Sequence, residues 1–438
     1  MKYFGTDGIR QKAEKFTPEF LTKIVAGLVD YAGTDIKVFL AGDTRESTEW
    51  ILADLESALE TFGIEYANAG VLPTPAINYC FFEMGFDFAI DATASHNPYT
   101  DNGIKIFERG QNSGQKLCTA GCNAIEKSLE SEQSYTLISA TLRENLHEEA
   151  LNLYKNHLLN YLKPANFKNL KIGMDCANGA TSTINKTIFE KLGAKVTLIH
   201  NDSNYNTAIN TNCGSTHLES LKDLVIKNHL NFGIAFDGDG DRCLMVDETG
   251  ETIDGDQIIA ILAQYLKLKQ IAVTVMANQG LLNWADENKI TTEITAVGDS
   301  NVAIAMREKN IKIGGEQSGH IILPDQATGD GMLTALMITK IISETKKSLK
   351  DLSSIITKFP QVIINMDTTP IQKENLKTSK KAKNLLLDFD QKLKSVSGRL
   401  LVRPSGTEPL IRITMWGNDE KIITDLANKL KNELGEIL

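Results

Sequence analysis

Three apolar, strand-like segments of this chain each run directly into a polar loop. They span residues 86–90, 231–236 and 311–313, and the loops after them begin at Asp91, Asp237 and Gly314. Helix-like and strand-like patterns alternate between these points, which is typical of an α/β fold. Ligands of open α/β sheets bind beyond the carboxyl ends of the strands. We therefore predict three related mixed α/β units that present these loops to one shared central cleft.

The limits of the predicted elements are marked by capping residues. Thr17 and Pro18 are typical of the first two positions of a helix, and Gly33 of the position after its end. The apolar residues between them recur at helical spacing. The same signals predict helices at 47–62 and 183–192, and strands at 37–41, 171–174 and 195–199.

The C-terminal segment has a different pattern and predicts a small α+β domain. We predict a polar helix at 373–394 and a closing helix at 420–434. Between them we predict two strands, 399–402 and 410–416, joined by a loop at 403–409. With it, the predicted domains are residues 1–152, 153–251, 252–364 and 365–438.

Composition and charge restrict the classes of partner. The chain has 438 residues and a formal net charge of −10, which argues against a nucleic-acid-binding protein but leaves room for a local cationic pocket. The N-terminal residues carry no apolar signal segment, and no apolar run approaches the roughly 20 residues that span a bilayer. We expect a cytoplasmic protein with no membrane partner. A homodimer stays open as an alternative to a monomer.

Six cysteines are scattered along the chain without a CxxC pair. This usage is typical of reduced thiols in a cytosolic protein. Cys118 and Cys122 could begin a metal site, but no second pair or histidine cluster completes one.

The sequence Asp237-Gly238-Asp239-Gly240-Asp241-Arg242 predicts a metal site. Its glycines allow the backbone to curl so that the three carboxylates converge, and oxygen ligands favour Mg²⁺ or Ca²⁺. An EF-hand is a poor alternative, because Arg242 stands where the sixth loop position needs glycine and the flanks resemble strands. A solvated acidic turn stays open.

Two further loops carry groups suited to phosphate chemistry. Ser95 follows a buried strand, and the GxSxG pattern of hydrolases is absent around it, so a phosphoryl carrier fits better than a hydrolytic nucleophile. The alternative interpretation is that Ser95 belongs to an ordinary turn without a chemical role. Arg403-Pro404-Ser405-Gly406-Thr407 offers a guanidinium group, hydroxyls and an exposed amide for a phosphate, with a simple hairpin turn as the alternative.

A fourth loop, Gly315-Glu316-Gln317-Ser318-Gly319-His320, combines a carboxylate, a hydroxyl and an imidazole. These groups could bind sugar hydroxyls or an amino group. A structural role for His320 is the alternative, since a histidine at a strand edge is often a satisfied core residue.

Together these motifs resemble those of the α-D-phosphohexomutase superfamily. They occur in the same order as in that superfamily and extend along nearly the whole chain. The matching segments are residues 3–10 (Tyr3 to Arg10), 93–99 and 101–105 around Ser95 and Lys105, 237–242, 316–320 and 403–407. Within the superfamily, the motifs are most similar to the bacterial phosphoglucosamine mutase branch. The chain departs from the usual pattern at Gln11, Thr93 and Ser300.

The resemblance implies a mutase that moves a phosphoryl group through a phosphorylated Ser95, with a sugar 1,6-bisphosphate as intermediate or primer, and Mg²⁺ as cofactor. Glucosamine 6-phosphate and 1-phosphate are the implied substrates. Glucose or mannose phosphates remain an alternative, as does a non-catalytic sugar-phosphate-binding protein. The implied catalytic residues are Ser95, His96, Lys105, Arg10 and Arg242; the metal ligands Ser95, Asp237, Asp239 and Asp241; the sugar-binding residues Glu316, Ser318 and His320; and the phosphate-binding residues Arg403, Ser405, Gly406, Thr407 and Arg412.

Overall fold

The computed structural model of the chain describes residues 1–140, 145–405 and 409–438. Within them the chain divides into two compact units, one of residues 1–274 and 293–354 and the other of residues 275–292 and 355–438. The four predicted domain boundaries stay a prediction. Of the helices in these ranges, none combines the length and apolar character needed to cross a membrane.

A seven-stranded mixed sheet organises the N-terminal part of the first unit. Its order is β1-β2-β6-β5-β3-β4, with β7 beside β6; β5, β3 and β4 are parallel, and β6 is antiparallel to both β5 and β2. The strands are β1 Phe4–Gly5, β2 Gly8–Lys12, β3 Lys37–Gly42, β4 Glu65–Val71, β5 Phe88–Ala92, β6 Asp101–Arg109 and β7 Gly114–Lys116, and the helices are α1 Pro18–Ala32, α2 Glu46–Thr61, α3 Thr74–Glu83 and α4 Thr119–Glu130.

Helix α1 shows how the local sequence sets these boundaries. The Thr17 hydroxyl accepts a hydrogen bond from the Phe20 amide, and Gly33 ends the helix with a φ of 81°. Its apolar face packs into a core shared with α2, α4 and the sheet, where Ile24, Leu28 and Ile125 are fully buried. The predicted start and end of this helix are confirmed.

A five-stranded sheet of order β12-β11-β10-β8-β9 follows. All five residues of β10 are buried, as expected of a strand that is covered on both faces. The elements are α5 His147–Tyr161, β8 Lys171–Asp175, α6 Asn185–Lys191, β9 Lys195–Ile199, α7 Glu219–Lys227, β10 Phe232–Phe236, β11 Cys243–Asp247 and β12 Thr252–Ile253.

A third sheet has the order β14-β13-β15-β16. Its elements are α8 Gly255–Tyr265, β13 Gln270–Thr274, α9 Gln279–Glu287, β14 Thr291–Thr295, α10 Asp299–Lys309, β15 Gly314–Gly315, β16 Ile321–Ile322, α11 Gly331–Thr345 and α12 Leu349–Ser353. The strand predicted at 311–313 is therefore displaced to Gly314–Gly315. Ile311 and Ile313 are buried, so their apolar character resembles that of a strand although they precede the ladder. The parallel ladder itself pairs Gly314 with Ala272 and Gly315 with Val273.

The second unit contains a three-stranded antiparallel sheet, β17-β19-β18, covered by helices. Its elements are β17 Gln361–Asp367, α13 Pro370–Thr378, α14 Lys380–Leu393, β18 Arg399–Pro404, β19 Leu410–Trp416 and α15 Glu420–Ile437. The prediction of a single helix at 373–394 is wrong, because two helices meet at Ser379. The Ser379 hydroxyl accepts from the Ala382 amide and so caps a new helix. Mixed sheets with helices, together with this small antiparallel sheet and its helices, confirm the α/β fold class.

Candidate active site

The acidic loop is the turn of a hairpin between β10 and β11, whose last paired residues are Phe236 and Cys243. Strands on both sides of the loop exclude an EF-hand. Gly238 is required because a Cβ there would lie 2.7 Å from the Ser95 carbonyl oxygen, and Gly240 because its φ is 71°. The two glycines thus bring the loop against the segment that carries Ser95.

The carboxylates of Asp237, Asp239 and Asp241 converge as predicted. One oxygen of each lies within 4.8 Å of the others, and all three side chains are buried. Burial raises the pKa of the Asp237 carboxyl well above its ordinary range, and Asp239 adds to the shift. Among the described residues, no hydrogen-bond donor reaches the buried Oδ1 atoms of Asp239 and Asp241. Unsatisfied carboxylate oxygens in such a cluster fit a hard divalent cation such as Mg²⁺.

Ser95 lies at the carboxyl end of β5, where the backbone turns with a φ of 53°. Its hydroxyl donates to Asp237 Oδ2 at 2.7 Å, and its amide donates to Thr93 Oγ1 at 2.9 Å. The Thr93 hydroxyl donates in turn to Asp43. Thr93, one of the three departures from the superfamily pattern, therefore supports the turn around Ser95.

Arg45 fixes the same turn and was missed in the sequence. The side chain is fully buried and pairs with Asp43 at 2.9 Å. Its guanidinium donates to the carbonyl oxygens of Ser95, Asn97, Pro98 and Asp101 at 2.6 to 3.1 Å. The signal in the sequence is Asp43-Thr44-Arg45 after a buried strand, but nothing local shows that the guanidinium reaches residues 50 to 56 positions away.

Lys105 connects the N-terminal motif to the acidic loop. Its ammonium lies 2.8 Å from Asp239, 2.9 Å from Asp241 and 3.1 Å from Asp7. Burial would lower the pKa of Lys105, but Asp239 and Asp241 raise it well above its ordinary value. Lys105 therefore holds its proton and acts as a fixed positive charge.

Asp7 organises the cations around Lys105. Arg10 and Lys116 both donate to its carboxylate, and Lys116 also binds Asp299. Burial would raise the pKa of Asp7, but Lys105, Lys116 and Arg10 hold it well below its ordinary range. Asp7 and Lys116 were missed as site residues, since the sequence motif drew attention only to Arg10.

His96 and Arg242 flank Ser95. His96 Nδ1 is 3.4 Å from Ser95 Oγ, and burial followed by Arg242 and Arg10 lowers the pKa of His96 to about 3. The Arg242 amide donates to Asp237 Oδ1 at 3.1 Å, and its guanidinium Nε lies 3.7 Å from Asp237 and 3.8 Å from Asp241. The imidazole is thus neutral and a weak base, whereas Arg242 stays charged.

The residues predicted to bind sugar lie in different environments. Glu316 Oε1 accepts from the Gly298 amide at 3.1 Å, Ser318 is exposed, and His320 is buried. His320 Nε2 accepts from the Gly329 amide, and Nδ1 faces Asp241 at 3.5 Å. His320 therefore supports the acidic loop. Ser300 is the second residue of α10, and its hydroxyl donates to the Thr6 carbonyl at 2.7 Å.

The predicted phosphate loop belongs to the second unit. Arg403 and Arg412 are direct partners in the antiparallel ladder of β18 and β19, so their side chains share one face. The Ser405 amide donates to Leu410 at the end of this ladder. Gly406 and Thr407, also predicted to bind phosphate, lie outside the described residues.

Comparison with known proteins identifies the family. Models of the phosphoglucomutase/phosphomannomutase α/β/α domains I, II and III match residues 1–136, 152–250 and 254–359, and the model of the C-terminal domain matches residues 375–433. The chain is 42% identical to a phosphoglucosamine mutase of Caldicellulosiruptor saccharolyticus over 98% of this chain and 97% of that protein. It is 38% identical to a phosphoglucosamine mutase of Clostridium acetobutylicum, covering 98% of each.

Solved structures show the same fold at low identity. A phosphoglucomutase/phosphomannomutase family protein of Burkholderia thailandensis superposes with a TM-score of 0.77 at 18% identity, covering 99% of this chain and 97% of that one. The N-acetylphosphoglucosamine mutase of Aspergillus fumigatus, solved with GlcNAc-6P and magnesium, gives a TM-score of 0.66 at 16% identity, covering 98% and 95%. The chain belongs to the phosphoglucomutase/phosphomannomutase family of enzymes.

Proposed function

We propose that this enzyme is a phosphoglucosamine mutase, which interconverts glucosamine 6-phosphate and glucosamine 1-phosphate through a phosphorylated Ser95 and a 1,6-bisphosphate intermediate. The observation that supports it best is the Ser95 hydroxyl, 2.7 Å from Asp237 and inside the buried carboxylate cluster that also binds Lys105. A serine so placed is suited to carry a phosphoryl group. The product would feed synthesis of UDP-N-acetylglucosamine and cell-wall precursors.

Asp237, Asp239 and Asp241, with an oxygen on Ser95, would hold Mg²⁺. The ion would neutralise charge on the phosphoryl group during transfer. Lys105, Arg10 and Arg242 add fixed positive charge, and Arg45 orients the backbone on both sides of Ser95. These groups are already positioned by the fold, so little reorganisation is needed in the transition state.

Two half-reactions complete the proposed cycle. In the first, the P–Oγ bond of phosphorylated Ser95 breaks as a new P–O bond forms to the free hydroxyl of the sugar phosphate, and the hydroxyl proton passes to Ser95 Oγ. In the second, the other P–O bond of the bisphosphate breaks as its phosphoryl group bonds to Ser95 Oγ, and the serine proton passes to the sugar oxygen that the group leaves. His96, whose Nδ1 is 3.4 Å from Oγ, is close enough to relay this proton, and its lowered pKa means that it would pass the proton on and not retain it.

The non-reacting phosphate requires a second binding site. Arg403 and Arg412 place two guanidinium groups on the same face of the ladder, and guanidinium groups are suited to bind phosphate oxygens. We expect these arginines, with Ser405, Gly406 and Thr407, to bind that phosphate. Glu316 and Ser318 would contribute to sugar recognition directly, and His320 through the acidic loop that it supports.

The substrate assignment predicts the highest kcat/KM for glucosamine phosphate. The measurement compares kcat/KM for glucosamine, glucose and mannose 6-phosphates under one set of conditions with a bisphosphate primer. A higher value for glucose or mannose phosphate would contradict the sugar assignment and leave the mutase chemistry intact. Binding without turnover of any of the three would instead support a non-catalytic sugar-phosphate-binding protein.

The metal assignment predicts that Mg²⁺ stabilises the folded enzyme. Mg²⁺ at one hundred times its dissociation constant adds about 2.7 kcal/mol to a protein that binds it only when folded. We expect a rise in Tm with Mg²⁺ for the parent chain, and none for Asp237→Asn or Asp239→Asn. Chelation should abolish mutase activity.

Asp223→Asn is the matched control for these variants. Its carboxylate is exposed on α7 and pairs with Lys227, away from the acidic loop, so its response to Mg²⁺ should equal that of the parent. An unchanged response in Asp239→Asn would contradict the assignment.

A further inference from the structure

A second cluster of ligating side chains lies at the carboxyl edge of the five-stranded sheet. Strands β8 and β9 are parallel, and Asp175 at the end of β8 pairs with Ile199 at the end of β9. His200 follows Ile199 directly, so Asp175 and His200 lie at the same edge of the sheet. Cys213 reaches them from the segment that precedes the short 3-10 helix at Gly214–Thr216. The proposed function uses none of these three residues.

The three side chains are close enough to share one ion. One ligand atom from each, a carboxylate oxygen, an imidazole nitrogen and the thiol sulfur, lies within 4.8 Å of the other two. His200 Nδ1 is 2.9 Å from Asp175 Oδ2. In a tetrahedral zinc site, the usual bond lengths put neighbouring ligand atoms about 3.3 to 3.6 Å apart. Small side-chain movements would therefore suffice for all three to coordinate one ion.

Burial and exposure at the cluster also suit a metal. Asp175 and Cys213 are fully buried, whereas the His200 side chain is 30% exposed and provides access from solvent. Cys213 Sγ makes a long hydrogen bond, 3.9 Å, to the Ala208 carbonyl oxygen. A thiol ligates a metal as its thiolate, and a bound cation stabilises that form.

We propose that Asp175, His200 and Cys213 form a Zn²⁺ site with an open fourth position. A ligand set of one sulfur, one nitrogen and one oxygen favours Zn²⁺ over Mg²⁺, which prefers oxygen ligands only. The aspartate cluster at residues 237–241 has the opposite preference. The two clusters therefore select different ions, and zinc binding can be measured with Mg²⁺ in excess.

The test is zinc binding by the metal-stripped full-length protein, measured by equilibrium dialysis in excess Mg²⁺. We expect one Zn²⁺ per chain, and an affinity at least about 100-fold lower in Cys213→Ser and in His200→Gln, since even outer partners of a metal site contribute up to that much. Cys122→Ser, a half-buried thiol on α4, is the matched control and should bind like the parent. Asp239→Asn should also keep its zinc.

Cobalt gives a second readout that depends on the sulfur ligand. Co²⁺ bound in place of Zn²⁺ should produce a thiolate charge-transfer band in the parent and in Cys122→Ser, and none in Cys213→Ser. If Cys213→Ser does not fold, the zinc affinity of His200→Gln, a change at a partly exposed position, is measured by dialysis in its place. Equal zinc affinity in the parent and in His200→Gln would overturn the proposal, as would loss of zinc from Asp239→Asn.

Discussion

Replacing Ser95 by alanine is expected to lower mutase activity by at least about 10⁴-fold, because the variant lacks the atom that accepts and donates the phosphoryl group. The change removes one hydroxyl from a fully buried position. It also frees Asp237 Oδ2 from its hydrogen bond, which should cost no more than about 1 to 3 kcal/mol of stability. The measurements are the steady-state rate with glucosamine 6-phosphate and the intact mass before and after exposure to the bisphosphate.

Ser128→Ala is the matched control for this loss. Ser128 is also buried, but it lies on α4 outside the site. We expect the control to keep its rate and to gain the mass of one phosphoryl group, whereas Ser95→Ala gains none. A folded Ser95→Ala variant with a rate near that of the parent would contradict the phosphoserine mechanism.

Arg45→Met is expected to destabilise the fold by about 3 to 5 kcal/mol, because it leaves the Asp43 carboxylate buried without its partner. It also removes the donors that hold four carbonyl oxygens between Ser95 and Asp101. A displacement of about 1 Å of a reacting group can cost about 100-fold in rate. We therefore expect kcat to fall by about that factor in the fraction of protein that remains folded.

The comparison with Arg109→Met separates these effects from the general loss of an arginine. Arg109 also donates to two backbone carbonyls, those of Phe82 and Phe86, but its contacts are exposed. Chemical denaturation should give a change of less than about 1 kcal/mol for this variant. If Arg45→Met were as stable and as active as Arg109→Met, the role of Arg45 in positioning Ser95 would be wrong.

Local sequence signals were sufficient to predict those features that depend on residues close together in the chain. The Thr17 cap, the Gly33 end and the acidic hairpin are each encoded within a few positions. The meeting of Ser95 with Asp237 was inferred only because both follow buried strands, and it joins residues 142 positions apart. The family resemblance made that inference more specific than the strand pattern alone.

The sequence could not predict contacts made by long side chains across the fold. Arg45 reaches from the start of α2 to the Ser95 turn, and Lys116 binds Asp299 from 183 positions away. Strand β6, which carries Lys105 opposite Asp91, was not predicted as a strand. Its residues pair with β5 and β2, and such pairing is a tertiary property that propensity does not report. The break at Ser379 was missed because the surrounding segment is mostly polar and holds no glycine or proline to mark a helix end.

The most direct test of the central claim follows the phosphoryl group itself. Enzyme phosphorylated on Ser95 is mixed with one equivalent of glucosamine 6-phosphate, and quenched samples are analysed by intact mass and by product. The account predicts that the protein loses the mass of one phosphoryl group while an equal amount of 1,6-bisphosphate forms, at a rate no slower than kcat, and that the mass then returns as glucosamine 1-phosphate is released. Accumulation of glucosamine 1-phosphate while Ser95 stays phosphorylated throughout would contradict it.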